Sequence, residues 1–423
     1  MAYPTPLRDL FEHADARWEP YGPPPERPVP DAGTPLTHAR SPIEVAGQFD
    51  QIDIEYAAIR KASALLDLPH RGTLIFTGAD RVAFLNRMVT QELKDAGSKP
   101  FTSRRAFWLN RKGRIDADLR LIILEDRILA DVDAFAAPHA RQSLDAYVIA
   151  DDVAIEDATQ RFHRLSLQGP GGPAVLASFA KPVAGGGVAV ADIKPGEVSV
   201  IDIDGYQIIV DRWDSAGEIG LELTLEPAAA APVFQRLLEA AHRNAPGHAG
   251  PNPRPQLRPI GWHAYNIARI EAGTPLFMLD FGPDALPAES GVLNDRVSFK
   301  KGCYLGQEIV ARMNALGHPK QTLVGLKFEP SPDAPLLPLA GAPVFLDPLP
   351  TDKQPEPIGT VASATASPML SGTPIAFAMV KFKQTTAGTK VHVPCLEHPE
   401  AQPVLRPATV QPSLAFWSRI APV

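Results

Sequence analysis

The hydrophobic pattern changes at Gln321, and this change limits the fold more than any other feature of the chain. Beyond that point, short runs of β-branched and aromatic residues alternate with turns that contain Pro or Gly. These runs are TLVGLKF, APVFL, IGTVAS, PIAFAMV and KVHVP. Strands at such spacing are typical of a small β-barrel or β-sandwich. The sequence therefore predicts an all-β domain over residues 321–423.

Residues 46–320 mix helical and strand patterns, which predicts α+β structure there. Apolar residues recur every three or four positions, as one face of a helix requires, in ADRVAFLNRMVTQEL, EPAAAAPVFQRLLEAAHRNA and GWHAYNIARIEAG. GTLIFTG is typical of a strand, and RIDADLRLIILEDRILADVD indicates two strands joined by a tight turn. VSVIDIDGYQIIVDR repeats that arrangement, with Asp204-Gly205 as the dipeptide favoured in two-residue hairpin turns.

The first 45 residues predict a loop-rich extension, with a short helix followed by a proline-rich arm. The 45 prolines of the chain are about twice the usual ~5% share. They concentrate in EPYGPPPERPVP, SPDAPLLPLAGAP and DPLPTDKQPEP, which we interpret as irregular connections. Directly after the extension, IEYAAIRKASAL predicts a helix over residues 54–65.

Composition excludes several classes of protein. The formal net charge is −7 and there is no Lys/Arg-rich block, which argues against direct binding of nucleic acid. The N-terminus lacks the pattern of a signal peptide, and no apolar run approaches the ~18 residues of a membrane span. Two cysteines cannot form a disulfide framework. These features predict a cytoplasmic protein without membrane contact.

One cysteine lies in a chemically distinctive segment, KGCYLGQEIVAR, residues 301–312. Helical spacing follows in GQEIVARMNALG, so Cys303 would lie just before a helix N-terminus. The helix dipole, with Lys300 and Lys301, favours an anionic thiolate, whereas Glu308 opposes it if it approaches. The alternative is a buried cysteine acting as a small hydrophobic residue, which this local chemistry alone favours. Without a Cys-x-x-Cys partner, no permanently bound metal is predicted.

KGCYLGQE resembles the signature of the YgfZ-type folate-binding proteins, which are associated with assembly and maintenance of iron–sulfur clusters. In order along the chain, EYAAIR, FTGADRVAFLNRMVT, LNRKGRIDADL, SLQGP, GEIGLEL, RIEAGTP and IGTVAS resemble segments of the larger superfamily that includes the glycine cleavage aminomethyltransferase, or T-protein. The resemblance implies an α+β cloverleaf of three subdomains around a central channel. Two intertwined subdomains would occupy residues 46–320, and a C-terminal β-barrel residues 321–423.

The resemblance also implies a site for tetrahydrofolate or a derivative. Its pterin edge offers paired N–H donors and its glutamyl tail is anionic, so charge-assisted contacts suit both ends. Glu218 and Glu222 in GEIGLEL are candidates for the pterin edge, and Glu218 is preferred because a glycine follows it. Arg269 is a candidate for the glutamyl tail, or it forms an ordinary ion pair with Glu271 or a neighbour.

The remaining candidates come from two segments of the resemblance. In T-proteins, the segment that matches LNRKGRIDADL carries two adjacent acids, one of them beside the folate nitrogen that takes up the one-carbon unit. Here that pair is Ala117-Asp118, which leaves Asp118 as the candidate catalytic acid, with Asp116 on the same face of the strand. Around Cys303, the motif positions carried over are Lys301, Gly302, Tyr304, Gly306, Gln307 and Glu308.

Three functions follow as hypotheses. The leading one is a tetrahydrofolate-binding accessory protein for iron–sulfur enzymes, in which Cys303 is the reactive or partner-facing group. Its partners would be folate and iron–sulfur client or assembly proteins. The alternative is a T-protein-like aminomethyltransferase, or a related folate-dependent demethylase, that requires Asp118. Ala117 and KGCYLGQE argue against that alternative. A third hypothesis is a folate-binding regulatory module without chemistry.

Overall fold

The structure is a computed structural model of the chain, and it describes residues 4–22, 43–243, 257–330, 336–347, 355–398 and 401–419. Most of the predicted proline-rich arm, and parts of the two later proline-rich loops, lie outside these residues. The helices, in chain order, are α1 (Arg8–His13), α2 (Ile52–Lys61), α3 (Arg81–Met88), α4 (Ala137–Asp145), α5 (Gly172–Ala177), α6 (Pro227–Arg243), α7 (Trp262–Glu271), α8 (Leu293–Arg296) and α9 (Gln307–Leu316). Short 3-10 helices lie at Val190–Asp192, Pro287–Glu289, Pro368–Leu370 and Phe382–Gln384.

The strands form a two-stranded N-terminal sheet, two larger sheets and a closed barrel. In chain order they are β1 (Arg17–Tyr21), β2 (Ile43–Gln48), β3 (Ser63–Asp67), β4 (Arg71–Thr77), β5 (Thr102–Leu109), β6 (Ile115–Ile123), β7 (Ile128–Asp133), β8 (Ala154–Asp157), β9 (His163–Gln168), β10 (Lys181–Gly187), β11 (Val198–Ile203), β12 (Tyr206–Arg212), β13 (Gly220–Leu225), β14 (Leu257–Pro259), β15 (Gln321–Phe328), β16 (Pro343–Leu346), β17 (Pro357–Ser367), β18 (Thr373–Lys381), β19 (Lys390–Cys395) and β20 (Val404–Val410).

The two larger sheets are interleaved in sequence. The seven-stranded sheet has the order β10-β11-β12-β13-β9-β3-β14, and the five-stranded sheet has the order β5-β6-β7-β4-β8. The chain leaves the first sheet after β3, forms the whole of the second, and returns to pair β9 with β3 in antiparallel fashion. Residues far apart in sequence therefore meet where the two sheets face each other.

Both predicted hairpins are confirmed. The β6–β7 hairpin closes through a hydrogen bond from Leu124 N to Arg127 O. In the β11–β12 hairpin, Asp204 and Gly205 have φ angles of 52° and 94°, the positive values that a type I′ turn needs at both central positions.

The helix predicted over residues 54–65 is too long. Helix α2 ends at Lys61, and residues 63–65 belong to β3. This strand is buried throughout and is paired on both sides, by β9 and by β14. Pairing with distant strands outweighs the local helical spacing, because propensity is a weak preference that tertiary context overrides. Similarly, α3 covers only part of the segment predicted as helical.

The C-terminal strands close into a six-stranded barrel of order β15-β18-β17-β16-β19-β20, which confirms the α+β architecture with a C-terminal barrel. Strand β20, which the sequence patterns did not single out, closes it by pairing with β15 and β19. The barrel packs on the five-stranded sheet through one continuous core that includes Phe107, Phe281 and Phe377. Where the structure describes the chain, no helix is long and apolar enough to cross a membrane.

The N-terminal extension packs on this body. Helix α1 is the short helix expected there, and its Phe11 contacts Phe234 of α6 at a ring-centroid distance of 5.2 Å. At the end of β1, the Tyr21 hydroxyl donates to Asp133 Oδ2 at 2.8 Å. The start of the chain thereby contacts both larger sheets or the helices on them.

Candidate functional site

A small, strongly charged cavity lies at the face of the five-stranded sheet. Its volume is about 20 Å³, enough for roughly one water molecule. The polar part of its lining consists of Arg71, Arg105, Asp118, Arg120, Asp131 and Arg296. The apolar part consists of Leu119, Trp213, Pro275, Leu276 and Phe277. Four arginines at one cavity mark a site for anionic or acidic groups.

Arg120 joins the two sheets at this cavity. Its Nη2 donates to Asp131 Oδ2 of β7 at 2.7 Å, and its Nη1 donates to Asp211 Oδ2 of β12 at 2.8 Å. The guanidinium also lies over the ring of Trp213, 4.9 Å from its centroid. Burial acts to raise the pKa of Asp131, but Arg164, Arg71 and Arg120 outweigh it and hold that pKa well below its usual range. Asp131 is therefore a fixed negative charge.

Glu222 lies beside Arg120 on β13 and is 1% exposed. Its Oε1 accepts a hydrogen bond from Ser166 Oγ at 2.6 Å, and its Oε2 lies 3.8 Å from Arg120 Nη2. Burial raises the pKa of Glu222 to about 7, although Arg120 and Ser166 lower it. Within the described residues, neither Glu222 Oε2 nor Gln168 Oε1 has a hydrogen-bond partner. Two buried acceptors without partners on neighbouring strands are unusual in a structural core and are suited to a ligand with N–H donors.

Asp118 lies in the lining of the cavity, two residues before Arg120 on the same face of β6. Its carboxylate accepts from Arg296 Nε at 2.8 Å and from Arg296 Nη2 at 3.3 Å, a two-point ion pair. Asp116 instead accepts from Asn110 Nδ2 at 2.9 Å and lies 3.4 Å from His139 Nε2. Asp118 and Arg120 thus line one cavity, and Glu222, which is not part of the lining, lies next to Arg120.

Glu218 lies in the loop before β13 and is held by the end of the chain. Its Oε2 is 3.2 Å from Arg419 Nε, while its Oε1 has no hydrogen-bond partner in the part of the chain that the structure describes. Glu218 is 1% exposed, whereas the Arg419 side chain is 56% exposed. Burial raises the pKa of Glu218, with Arg419 and Arg60 acting against it. The role of Glu218 at a pterin edge stays a prediction.

Arg269 and Glu271 at the end of α7 connect the N-terminal body to the barrel. Arg269 pairs with Asp280 and donates to Ser363 Oγ of β17 at 2.9 Å. It is 1% exposed. These are the ordinary structural contacts that the sequence offered as the alternative for Arg269, and its contact with a glutamyl tail stays a prediction.

Glu271 is equally enclosed. It accepts from Tyr56 OH and Arg60 Nη2, each at 2.5 Å, and from Ser367 Oγ of the barrel. It is fully buried. A folate contact for Glu271 also stays a prediction.

The KGCYLGQE segment is fixed by three of its residues. Lys301 is buried, and its Nζ donates to the carbonyls of Asn86, Val89 and Gln91 at 2.6–2.9 Å, around the C-terminal end of α3. Burial lowers the pKa of Lys301 to about 8. Tyr304 is 8% exposed, and the φ of Gly306 is 79°, where a Cβ would approach the Asn110 carbonyl oxygen to 2.9 Å.

The other members of that segment face outward. Cys303 is exposed, and so are Gly302 and Glu308, while Gln307 is half-buried at the first position of α9. The alternative that Cys303 is a buried cysteine is therefore wrong; the buried cysteine is Cys395 of β19. Cys303 does not belong to the lining of the charged cavity. Cys303 and Asp118 are thus not brought together at this cavity, and the roles of Cys303, Asp118 and Glu222 stay predictions.

Sequence reasoning missed most of the arginines of the cavity. Arg120 had a detectable signal, because Asp116, Asp118 and Arg120 alternate along one strand and must share a face. Arg296 and Arg419 had none, because each reaches its carboxylate only through folding of distant segments. Within the described ranges, no group of three or more His, Cys, Asp or Glu residues is placed to hold a metal ion.

Comparison with known proteins gives the family. The profile of the GCVT N-terminal domain matches residues 35–301, and that of the glycine cleavage T-protein C-terminal barrel domain matches residues 321–409. A protein of Streptomyces avermitilis named aminomethyltransferase is 30% identical, over 79% of this chain and 82% of its own length. An aminomethyltransferase of Bacillus cytotoxicus is 26% identical over 83% and 87%.

A solved structure shows the same fold. The glycine cleavage system aminomethyltransferase T of Bartonella henselae superposes with a TM-score of 0.76 at 23% identity, and the match covers 99% of this chain and 98% of that one. The two domain profiles together extend over both the intertwined sheets and the barrel. The chain therefore belongs to the glycine cleavage T-protein family.

Proposed function

We propose that this protein binds tetrahydrofolate or a derivative at the charged cavity and transfers a one-carbon unit from an aminomethyl donor. The function is that of an aminomethyltransferase or a related folate-dependent demethylase. The names of the relatives support it, and so does the family. The observation that carries it is that Asp118 and Arg120 line one cavity, while Glu222 Oε2 lies 3.8 Å from Arg120 Nη2.

The chemistry of the residues present fits a reduced pterin. Among the described residues, Glu222 Oε2, Gln168 Oε1 and Glu218 Oε1 are buried acceptors without partners, and a pterin edge supplies adjacent N–H donors. Trp213 and Phe277 offer aromatic surface beside the charged groups. Because the cavity holds only about 20 Å³, lining side chains must move aside when the ligand enters.

Glu222 and Asp118 have different roles in the proposed reaction. Tetrahydrofolate, when bound, supplies the nitrogen that accepts the one-carbon unit. Glu222 accepts N–H donors from the ligand and so fixes its orientation. Asp118, held by Arg296, is a carboxylate that accepts a hydrogen bond from an amine and stabilises positive charge beside it.

The test combines binding with turnover. Anaerobic calorimetry with tetrahydrofolate measures affinity for the wild-type protein, Glu222→Gln and Asp118→Asn. Formation of methylene-tetrahydrofolate from an aminomethyl donor measures transfer. We expect Glu222→Gln to weaken binding, and Asp118→Asn to bind normally and lose at least about 100-fold in turnover. If the wild-type protein bound tetrahydrofolate but formed no product, a folate-binding regulatory module would be the remaining function. If it did not bind tetrahydrofolate, the proposed folate site would be wrong.

A second candidate function has a separate observation in its favour. We propose, as that candidate, a YgfZ-type accessory role in assembly or maintenance of iron–sulfur enzymes. Cys303 is exposed, while Lys301 and Tyr304 around it are anchored in the protein. In addition, Ala117 stands where T-proteins carry a second acid. The partners would be iron–sulfur client or assembly proteins.

A complementation experiment in cells distinguishes the two proposed functions. The second predicts that Cys303→Ser abolishes support of an iron–sulfur-dependent enzyme such as a tRNA thiomethylase, while purified Cys303→Ser protein binds folate normally. The matched control is Cys395→Ser, which changes the other cysteine. Full complementation by Cys303→Ser would reject the thiol role and leave the aminomethyl transfer proposal untouched.

A further inference from the structure

An open groove lies beside helix α9, away from the charged cavity. Its volume is about 310 Å³, which is within the range of ligand-binding clefts. Leu293, Ile309, Met313, His318, Pro319 and Phe382 are among its lining residues. We call this surface the α9 groove. It is formed by the helix that continues the KGCYLGQE segment, together with the start of β15 and the end of β18.

The apolar residues of the α9 groove are more open to solvent than a structural core would leave them. Ile309 is 37% exposed and Phe382 is 36% exposed. Ile309 and Met313 are four residues apart, so they present one face of α9 to the groove. The ring of Phe382 stacks on His318 at a centroid distance of 4.4 Å and an interplanar angle of 2°. One end of the groove is therefore a stacked aromatic pair that is open to solvent.

Positive charge borders the groove on two segments. Lys320 precedes β15, and Lys381 and Lys383 flank Phe382; all three are exposed. Within the described ranges, none of these three cations forms an ion pair with a carboxylate. Glu308 and Arg312, one helical turn apart, share the face of α9 that points away from the lining residues. This basic border contrasts with the net charge of −7 of the whole chain.

Glu289 follows the lining residues Pro287 and Ala288, and burial raises its pKa while Arg114 and Lys320 act against that rise, so Glu289 offsets part of the charge of Lys320 only. The carboxylate of Glu289 is buried and accepts the backbone N–H of Leu286 at 2.8 Å, where it caps the 3-10 helix Pro287–Glu289. The side chains available at the border of the groove are therefore mainly cations, and complementarity calls for an acidic occupant.

We propose that the α9 groove docks an acidic amphipathic helix of a partner protein. Apolar side chains of that helix, spaced at i, i+3 or i+4 and i+7, fill the groove, and its carboxylates face Lys320, Lys381 and Lys383. A second copy of this chain is a poorer occupant, because a two-fold contact would bring the basic border against itself. A small amphiphile with one anionic head would engage only part of a border that extends over two segments of the chain.

The proposed docking does not depend on folate chemistry. It would place a partner protein next to the exposed thiol of Cys303. Cys303 precedes the same helix, so a partner held in the groove lies beside the segment that carries the thiol. The groove would then select the partner, and the folate site could work with or without it.

The test uses synthetic helical peptides as probes. The first is a fluorescein-labelled 16-residue peptide with leucines at helical spacing on a glutamate background. Matched peptides replace every glutamate by lysine, or every leucine by alanine. We expect the acidic leucine peptide to bind the full-length protein at least about tenfold more tightly than either matched peptide, by fluorescence anisotropy, and to weaken as salt is raised.

Variants of the protein locate the binding surface. Met313→Arg should weaken binding of the acidic leucine peptide by about tenfold or more, and Lys320→Glu/Lys383→Glu by several-fold. Lys194→Glu, an exposed lysine before β11 on the seven-stranded sheet, is the matched charge control and should leave binding unchanged. Circular dichroism and thermal unfolding confirm that each variant is folded.

Several outcomes would overturn the proposal. Equal binding of the glutamate and lysine peptides would remove the charge argument, and unchanged binding by folded Met313→Arg would place the peptide elsewhere. Light scattering that shows a wild-type dimer converted to a monomer by Met313→Arg would identify a second copy as the occupant. Binding of dodecanoate in the groove without binding of any peptide would identify a small amphiphile. None of these results bears on whether tetrahydrofolate binds.

Discussion

Two buried clusters of charge in this protein differ in how completely they are satisfied. At the end of α7, Arg269 and Glu271 are surrounded by donors and acceptors from α2, the loop after α7, and the barrel. Within the described residues, none of the polar side-chain atoms of that cluster is left without a partner. Arg120 and Asp131 line the charged cavity. In their ion-pair network, Arg164 Nε, Asp211 Oδ1 and Glu222 Oε2 have no hydrogen-bond partner among the described residues.

The difference separates a structural role from a binding role. A buried polar network that is fully satisfied rigidifies a structure, whereas each unsatisfied buried group carries a desolvation cost that needs a reason. A ligand that supplies the missing partners is such a reason. We therefore expect changes at α7 to affect stability first, and changes at the charged cavity to affect ligand binding first.

The largest effect is expected at Arg269. Arg269→Ala leaves Asp280 buried without its cation, which should lower the free energy of unfolding by about 3–5 kcal/mol, as measured by urea denaturation. Arg161→Ala removes an arginine from an exposed pair with Glu156 and should cost less than about 1 kcal/mol. If Arg269→Ala kept full stability but lost folate affinity, the two clusters would not differ as described.

The second effect is a pH dependence of stability that Glu222 introduces. Its pKa is raised from 4.5 to about 7 in the folded protein, so between these values the folded state keeps a proton that the unfolded state has released. Stability from this group is therefore present below pH 4.5 and is lost as the pH rises to 7. The loss is on the order of a few kcal/mol.

Glu222→Gln removes this dependence, because glutamine does not titrate. The difference in unfolding free energy between the wild-type protein and Glu222→Gln should change in favour of the variant from pH 4.5 to 7, as measured by urea denaturation at each pH. Folate affinity of the variant should fall by about 10- to 100-fold. If the difference in unfolding free energy did not change with pH and the variant kept its folate affinity, Glu222 would have a structural role, like Arg269 and Glu271.

The Glu218–Arg419 pair is intermediate and sharpens the comparison. One carboxylate oxygen of Glu218 has a partner, but that partner is more than half exposed to solvent. Arg419→Gln should therefore cost only about 1 kcal/mol in thermal unfolding, because solvent screens an exposed cation. Arg419→Lys, which keeps the charge, should recover much of the loss. If Arg419→Gln lowered the free energy of unfolding as much as Arg269→Ala, Glu218 would have a structural role.

The smallest effect on stability is expected at Cys303. Cys303→Ser changes an exposed side chain and should alter the free energy of unfolding by less than about 0.5 kcal/mol. An aromatic disulfide reagent should label one thiol in the native wild-type protein and none in native Cys303→Ser. It should label the buried Cys395 only after denaturation. Native labelling of Cys395 in the variant would show that the barrel opens far more readily than its closed strand order indicates.

Local patterns were sufficient where an element depends on its own residues. The β11–β12 hairpin followed from Asp204-Gly205, α7 ends two residues before Gly273 with its φ of 76°, and α9 ends directly before Gly317. The barrel strands followed from short hydrophobic runs between turns. The helix over residues 54–65 was overextended because β9 and β14 recruit residues 63–65, and no local pattern reports a partner about 100 or more residues away.

The candidate site shows the same limit more strongly. The motif GEIGLEL singled out Glu218 and Glu222, but only the folded chain distinguishes a carboxylate beside Arg120 from one held by Arg419. The motif around Cys303 indicated a helix start. It did not indicate that Lys301 turns inward to three carbonyls while the thiol stays exposed.

The sequence alone determined the class of this protein: an α+β body, a C-terminal all-β domain and a resemblance to folate-dependent proteins. These features depend on periodicity, turn residues and short motifs, which are local properties of the chain. The tertiary structure alone decided which charges are satisfied and which are left for a ligand. That distinction depends on distances between residues such as Arg120 and Asp211, which lie on different sheets and meet only because the two sheets are interleaved.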